Sequence, residues 1–499
     1  MRRAIPLAFV ATLAAAILGP WGVRAADDPA PVAPPGVPAP PVVPAPPVVS
    51  APPAPRAPRT PPAGSPLPPA EAAAAAARGY RHLTETSYLP STLTRAEFDA
   101  LYTVWPSAAR ARAEAASPEE RRRLTYERYG FTARPGDPTG RPLQYVEDAA
   151  GRLSISCFAC HAGQVAGRVI PGLPNSQFAF QTLADDVGAL RTSRGQSSRA
   201  GALSRLLPLG DTHGTTNAVM FSVALLTFRD ADLNVVPPSR PVRFVHHDLD
   251  APPWWNVRRK SHLYYDGFTP KSHRSLMQFL LVPTNGPDRL RAWEPDFRDV
   301  LAYLESLEAP RWPFPVDRDL AAKGRVAFEA TCARCHGTYG PEGRWPEVTV
   351  PIDEIGTDRL RFEAIRPEER AIFADSWFTG HDPTGVVVHT KGYVAPPLDG
   401  IWASAPYLHN GSVPTLWHVL HPAARPKAWR RRSAEGYDQA RVGLEVEERE
   451  ARPTDLRDAW ERRAWFDTGA RGKGAAGHGF PDALTETEKA AVLEYLKTL

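Results

Sequence analysis

Cysteine and methionine are scarce in this chain of 499 residues, which contains four cysteines and three methionines. Excess charge is also lacking, because the formal net charge is only +4. A net charge this small does not indicate a large positively charged surface, so nucleic acid is not an expected partner. The apolar run at the N-terminus, residues 4–18, is shorter than the roughly 20 residues that a membrane span requires. It therefore favours a cleaved signal over a transmembrane anchor, which is the alternative.

Residues 1–26 have the features of a secretory signal. Arg2 and Arg3 form the charged start, and Val23-Arg24-Ala25 fits a small-x-small cleavage site. The signal predicts a periplasmic or secreted bacterial protein with no transmembrane span after cleavage.

Proline is abundant, with 55 residues, and much of it lies in residues 27–70 together with alanine and valine. Proline cannot donate a backbone hydrogen bond to a helix or a sheet. We therefore predict a disordered, extended linker there, with a ligand for a proline-binding module as the alternative. The folded protein is expected to begin near Glu71.

All four cysteines belong to two copies of one pattern, C-x-x-C-H. The copies are Cys157-Phe158-Ala159-Cys160-His161 and Cys332-Ala333-Arg334-Cys335-His336. This spacing lets two thiols bond to the vinyl groups of one porphyrin while the adjacent imidazole reaches its iron. A zinc ribbon would need a much shorter gap between its cysteine pairs, and a redox C-x-x-C pair requires no histidine. The sequence predicts two covalently bound haem c groups, with His161 and His336 as iron ligands.

The sequence around the motifs repeats as well. Tyr-Leu-x-(Ser/Thr)-Leu ends one helical pattern at residues 303–307 and another at residues 495–499. Thr485 with Glu488 forms a capping box for the last helix. Leu320, Gly324 and Phe328 fit a helix in which the glycine allows close helix contact, whereas the approach to the first motif looks extended.

These patterns predict a mainly α fold. We expect two tandem cytochrome c-like haem domains with long loop insertions, residues 71–312 and 313–499, behind the disordered linker.

Methionine is absent after His336, since Met220 and Met277 both lie between the motifs. A second axial ligand of the C-terminal haem is therefore expected to be histidine. The candidates are His381, His389, His409, His418, His421 and His478. His478 is favoured, because it lies in a flexible glycine-rich loop just before the last helix. The first iron could be closed by Met220, Met277, His213, His246, His247, His262 or His273, and an open or exchangeable site is the working hypothesis.

The chain resembles the bacterial dihaem cytochrome c peroxidase superfamily, and within it the rubber-oxygenase-like dihaem cytochromes. The resemblance rests on both haem motifs, on residues 395–402 and 405–416, and on the ending through His478. It implies a reactive N-terminal haem, an electron-relay C-terminal haem, and a calcium ion between the domains. It also implies that His409 lies beside the haem or its propionates without binding the iron. Peroxidases of the superfamily commonly use methionine at the C-terminal iron, which this chain cannot supply.

The resemblance places the distal pocket and the path between the haems in residues 250–268. An aromatic side chain there can carry an electron hole, and a carboxylate can move the proton needed for O–O cleavage. We assign the first role to Trp255 and the second to Asp266 with Tyr265. The alternative is that Trp254 and Trp255 are core aromatics and that Asp266 begins an Asp-Gly turn.

The expected function is that of an exported dihaem oxidoreductase. Its N-terminal haem would react with peroxide or dioxygen, and its C-terminal bis-histidine haem would transfer electrons from a redox partner protein. The alternative is a non-catalytic dihaem electron-transfer protein.

Overall fold

The computed structural model describes residues 68–196, 209–238, 240 and 242–499. The predicted signal and the predicted linker up to residue 67 lie outside these residues. Pro68–Leu499 forms one compact unit, and the boundary between two haem domains near residue 312 stays a prediction. About 43% of the structure is helical and 13% is strand, which fits the mainly α prediction.

The α-helices of the described residues are mostly short. In chain order they are α1 (Pro69–Glu85), α2 (Arg95–Ala100), α3 (Ser107–Ala115), α4 (Pro118–Tyr129), α5 (Phe158–His161), α6 (Phe180–Ser193), α7 (Ala218–Leu226), α8 (His273–Met277), α9 (Pro287–Ala292), α10 (Glu294–Ser306), α11 (Arg318–Thr331), α12 (Ala333–His336), α13 (Ile352–Ile355), α14 (Leu360–Ala364), α15 (Pro367–Ala374), α16 (Leu416–Leu420), α17 (Ala459–Ala464) and α18 (Glu486–Leu496). Short 3-10 helices occur at Leu101–Val104, Trp254–Arg259, Gln278–Leu280, Trp377–Thr379, Ile401–Ala403, Pro422–Ala424 and Phe480–Ala483.

The strands form small antiparallel sheets. They are β1 (Ser91–Thr94), β2 (Tyr145–Glu147), β3 (Arg152–Ile155), β4 (Ala162–Val165), β5 (Arg168–Pro171), β6 (Thr215–Thr216), β7 (Leu249–Asp250), β8 (His262–Leu263), β9 (Thr269–Pro270), β10 (Thr349–Pro351), β11 (Gly392–Val394), β12 (Ala428–Arg431), β13 (Tyr437–Asp438), β14 (Gly443–Leu444), β15 (Val446–Arg449) and β16 (Phe466–Asp467). Two sheets have three strands, in the orders β1-β3-β2 and β15-β12-β16.

Two long helix pairs organise the molecule. Helix α1 packs along α10, and α11 packs along α18. A glycine makes each approach possible: a Cβ atom at Gly79 would lie 2.1 Å from the carbonyl oxygen of Asp299, and one at Gly324 would lie 1.9 Å from that of Ala491. The structure thus confirms the predicted close helix contact at Gly324, and it shows an equivalent contact in the first half.

The ends of these helices follow from local chemistry. Thr485 and Glu488 form the predicted capping box at the start of α18. Asp317 caps α11, because its carboxylate accepts from the backbone N–H groups of Asp319 and Leu320. The cap at Thr485 follows the loop of His478, and the helix that Asp317 caps ends at the second haem motif.

The first half differs from the second by an insertion between its leading helix and its haem motif. The inserted residues, 86–156, contribute to a separate hydrophobic cluster around Phe98, Tyr129 and Phe131. Strand β3 leads into the motif, as the extended approach predicted, and pairs with β1 and β2.

Two larger cores meet at residues 254 and 255. Trp254 belongs to the core that includes Phe158 and Tyr303. Trp255 belongs to the core that includes Phe328 and Trp402. Adjacent residues of one 3-10 turn therefore join the halves that carry the two haem motifs.

Candidate haem sites

The histidine of each C-x-x-C-H motif is oriented by a proline carbonyl group. The Nδ1 atom of His161 lies 3.1 Å from the carbonyl oxygen of Pro252, and that of His336 lies 2.9 Å from that of Pro396. A carbonyl can only accept, so each ring carries its proton on Nδ1 and leaves Nε2 for a metal ion. Burial lowers the pKa of His161 to about 3 and also lowers that of His336, which keeps both rings neutral.

The two orienting prolines were not singled out from the sequence. Each lies in an Ala-Pro-Pro segment, residues 251–253 and 395–397, that follows one haem motif. The recurrence was the signal that could have identified them, whereas the acceptors themselves are backbone atoms with no side-chain signature.

A cavity of about 230 Å³ lies at the second motif, and it is lined mainly by apolar side chains. Cys332, Cys335, His336 and His478 are all in its wall. The ring centres of His336 and His478 are 6.1 Å apart. This distance suits two imidazoles on opposite sides of one metal ion, because a metal–imidazole bond is about 2 Å long and the ring centre lies roughly 1 Å beyond the nitrogen. His478 is the histidine that the sequence favoured.

The loop that carries His478 is pinned, although the sequence predicted a flexible one. Asn410 donates from Nδ2 to the carbonyl oxygens of Gly472 and Gly474, at 3.2 and 3.0 Å. Arg425 donates from Nη1 to those of Ala475 and Gly477, each at 2.7 Å. Two side chains that are distant in sequence therefore hold the backbone of this loop, which its glycines alone would leave flexible.

The ring of His478 is suited to metal binding. Its Nδ1 atom is buried without a hydrogen-bond partner. Burial, with the nearby His336 and Arg425, lowers the pKa of His478 to about 3, so the imidazole is neutral over the ordinary pH range.

Several buried polar atoms near this cavity lack hydrogen-bond partners. A haem fits the site only if it can supply those partners. His409 Nε2, Thr357 Oγ1, and Arg361 Nε and Nη1 are buried without hydrogen bonds. Buried donors of this kind are rarely left unpaired. Haem propionates would supply the missing acceptors, so the donor set fits the group. That role of His409 stays a prediction, with its ring 4.5 Å from that of Tyr393 and 6.1 Å from that of Tyr265.

Residues 392–430 match the family described as RoxA-like, cytochrome c-like. This segment is therefore similar to a RoxA-like cytochrome c domain. The similarity supports a c-type cytochrome with covalently bound haem c, whereas the wider dihaem peroxidase resemblance stays a prediction.

Two uncharacterized proteins of Sinorhizobium fredii are also similar to this chain. Protein y4iM is 30% identical over 241 residues, which are 43% of this chain and 52% of that protein. Protein y4iJ is 31% identical over 259 residues, which are 39% of this chain and 41% of that protein. The chain therefore spans about half the length of the curated relatives it matches.

The RoxA-like segment forms part of the cavity wall at the second motif. It contributes Tyr393, the Ala-Pro-Pro segment with Pro396, Leu398 and His409. It also contains Arg425 at its far end. The match to a known cytochrome family thus falls on the residues that surround the predicted C-terminal haem.

At the first motif, the ring of His161 stacks on that of Trp254, with centres 4.6 Å apart and an angle of 23°. Met277 is fully buried in the same core as Phe158. Met220 is fully buried against Ala364 and Ile365. Both methionines are thus core residues, and an open first site remains the hypothesis.

Other candidate histidines have protein partners. His246 lies 3.1 Å from Asp211, His273 lies 2.9 Å from Glu294, and His421 lies 3.0 Å from Glu486. Among the described residues, no ring–ring contact joins any remaining candidate to His161 or His336. These candidates are His213, His247, His262, His381, His389 and His418.

Residues 252–256 touch both motif sites. Pro252 accepts from His161, as above, while Trp255 donates from Nε1 to the carbonyl oxygen of Asp399 at 2.7 Å. Asn256 donates from Nδ2 to the carbonyl oxygen of Pro397 at 3.0 Å. The segment is a physical connection between the two halves, and the electron-hole role of Trp255 stays a prediction.

Asp266 and Tyr265 lie in different surroundings from those expected. The carboxylate of Asp266 accepts from Arg361 at 3.4 Å and from Arg370 at 2.8 Å, and all three side chains are buried. Tyr265 lines the cavity of the second motif and donates to the carbonyl oxygen of Asp250 at 2.9 Å. Their proton-transfer role beside the first haem stays a prediction, and for Asp266 an ion-pair role now competes with it.

The described part of the chain contains no helix that is both long and apolar enough to span a membrane. Within the same residues, no group of three or more His, Cys, Asp or Glu side chains is placed to hold a metal ion. The predicted calcium ion therefore rests on the resemblance.

Proposed function

We propose that the protein is an exported dihaem c-type cytochrome oxidoreductase. The haem at His161 is the site that reacts with peroxide or dioxygen, and the haem at His336 and His478 transfers electrons. The observation that carries the proposal is a contrast between two similar sites. Both motif histidines are oriented by a proline carbonyl, but His336 faces a second imidazole whereas His161 packs against Trp254.

The protein residues prepare the two sites differently. When bound, haem c supplies the one-electron and oxygen chemistry. Pro252 and Pro396 hold a proton on Nδ1 of the motif histidines, which fixes the ring orientation and raises ligand basicity. His478 would supply the second ligand at this site, which suits electron transfer without ligand exchange. Trp255 lies on the connection between the sites and is the residue expected to carry an electron hole.

Titration of the reduced protein with carbon monoxide tests this proposal. We expect two haems for each chain and one carbon monoxide bound for each chain, because His478 would close the second iron and the proposal leaves the first iron open. If carbon monoxide, cyanide and peroxide all leave the spectrum unchanged and no high-spin component is present, the protein is instead a dihaem electron carrier.

The class of substrate requires a second experiment. Turnover with peroxide and a reduced donor would indicate a peroxidase, whereas oxygen consumption with cleavage of an alkene polymer would indicate an oxygenase. We propose an extracytoplasmic redox protein as the electron donor, in keeping with the predicted signal.

A further inference from the structure

The geometry points to Arg425 as the positioning residue for the sixth ligand of the second haem. This inference rests on the proposed bis-histidine site at His336 and His478. It adds a residue that the haem motifs do not predict.

Arg425 connects helix α16 to the loop of His478. Its Nε atom donates to the carbonyl oxygen of His418 at 3.1 Å, and its Nη2 atom donates to that of Val419 at 3.3 Å. Its Nη1 atom donates to the carbonyl oxygens of Ala475 and Gly477, each at 2.7 Å. One guanidinium group therefore holds four carbonyl groups, two on each side.

The backbone at His478 needs such support. Its φ angle is 51°, in the left-handed region that a residue with a Cβ atom rarely adopts. A residue in that region persists only where its surroundings hold it there. Arg425 holds the carbonyl group of the preceding Gly477, and the N–H of His478 donates to the carbonyl oxygen of Ile355 at 2.6 Å.

No carboxylate forms a hydrogen bond or ion pair with Arg425 in the described residues, and the acid that acts on it through space is Asp482. The guanidinium is thus committed to the loop and not to an acidic side chain. Lysine at this position would keep the positive charge but could not reproduce the planar fork. Arg425→Lys therefore separates the positioning of His478 from the charge near the haem.

The first half supplies a matched control. Arg229 is buried, whereas Arg425 is partly buried, but it too serves four carbonyl groups. It donates from Nη1 to Leu233 and Asn285 and from Nη2 to Leu281 and Val282. Arg229→Lys removes the same kind of fork without touching the loop of His478. His478→Ala is the reference for complete loss of the ligand.

The experiment counts the carbon monoxide bound for each chain by the reduced, full-length holoprotein, together with the low-spin signal of the oxidised protein. We expect Arg425→Lys and His478→Ala each to bind one more carbon monoxide for each chain than the wild type. Each variant should also lose the low-spin signal of the second haem. Arg229→Lys should bind the wild-type number.

Several outcomes would overturn the inference. They are an unchanged number of bound carbon monoxide molecules in Arg425→Lys with the low-spin signal of the second haem intact, or a gain of equal size in Arg229→Lys. Arg425→Gln, which is neutral but still donates, provides a second variant in which an intermediate gain is expected. If neither Arg425 variant incorporates haem while Arg229→Lys does, the residue serves folding and the inference is wrong.

The test separates this inference from the proposed function. The number of carbon monoxide molecules bound by the wild type reports on the first haem, so a number of zero would contradict the open first site. The gain in Arg425→Lys could still be measured in that case, because it reports on the second haem. An unchanged number in His478→Ala would contradict the ligand assignment itself, and with it the role of Arg425.

Discussion

The carboxylate of Asp266 lies between the guanidinium groups of Arg361 and Arg370, which follow it by 95 and 104 positions. The residues of the haem motifs could be predicted because their chemistry depends on local spacing. The surroundings of Asp266 could not, because its partners are distant in sequence. Pro252 and Pro396 were missed for a related reason, since they act through backbone carbonyl groups.

We predict that Asp266→Asn lowers the free energy of unfolding by about 3–5 kcal/mol, because removing one partner of a buried ion pair leaves uncompensated charge. Denaturant unfolding of the holoprotein measures this change. Asp232→Asn is the control, since Asp232 pairs at the surface with Arg291 and His381 and should cost about 0–1 kcal/mol. A variant at Asp266 with wild-type stability but no reaction with peroxide would support proton transfer instead.

At the scale of elements, the helix pair α11 and α18 was predictable, because Gly324 and the capping box lie in clear helical patterns. Helix α1 was not, since the end of the proline-rich segment indicates where the folded chain begins but not which element begins there. It begins at Pro69, two positions before the expected start of the folded chain. The insertion of residues 86–156 packs through long-range contacts that sequence periodicity does not reveal.

We predict that Gly324→Ala and Gly79→Ala each destabilise the protein by about 1–3 kcal/mol or more, because the added methyl group meets backbone atoms of the facing helix. Thermal unfolding of the holoprotein checks this. Gly286→Ala is the matched control, as a Cβ atom there would meet no other atom within 4 Å and the φ angle is negative. Equal stability of all three variants would show that the helix pairs adapt more easily than expected.

At the scale of the whole molecule, the two motif sites should load with haem independently. We predict that Cys157→Ala with Cys160→Ala lowers the haem content from two to one for each chain, and that Cys332→Ala with Cys335→Ala does the same. The haem content follows from the pyridine haemochrome spectrum and from the mass of the intact protein. A content of one in the wild type would contradict the dihaem proposal.

Communication between the sites should depend on the turn that joins the two cores. We predict that Trp255→Phe slows reduction of the first haem through the second roughly tenfold, which corresponds to about 1.4 kcal/mol of barrier. Phenylalanine fills most of the same volume but is harder to oxidise and cannot donate to Asp399. Stopped-flow reduction measures the rate. Trp312 packs against the same core and donates a hydrogen bond to the carbonyl oxygen of Pro315, and Trp312→Phe should leave the reduction rate unchanged.

The facing pair His336 and His478 has a mechanical consequence in the proposed haem protein. A shared iron would act as a cross-link between positions roughly 140 residues apart, and closing a loop of that length is worth about 4–5 kcal/mol of unfolded-state entropy. The thioether bonds are covalent and survive unfolding, so the bond between the iron and His478 is the one that breaks. A small competing ligand such as imidazole would then remove this cross-link and lower the free energy of unfolding of the holoprotein.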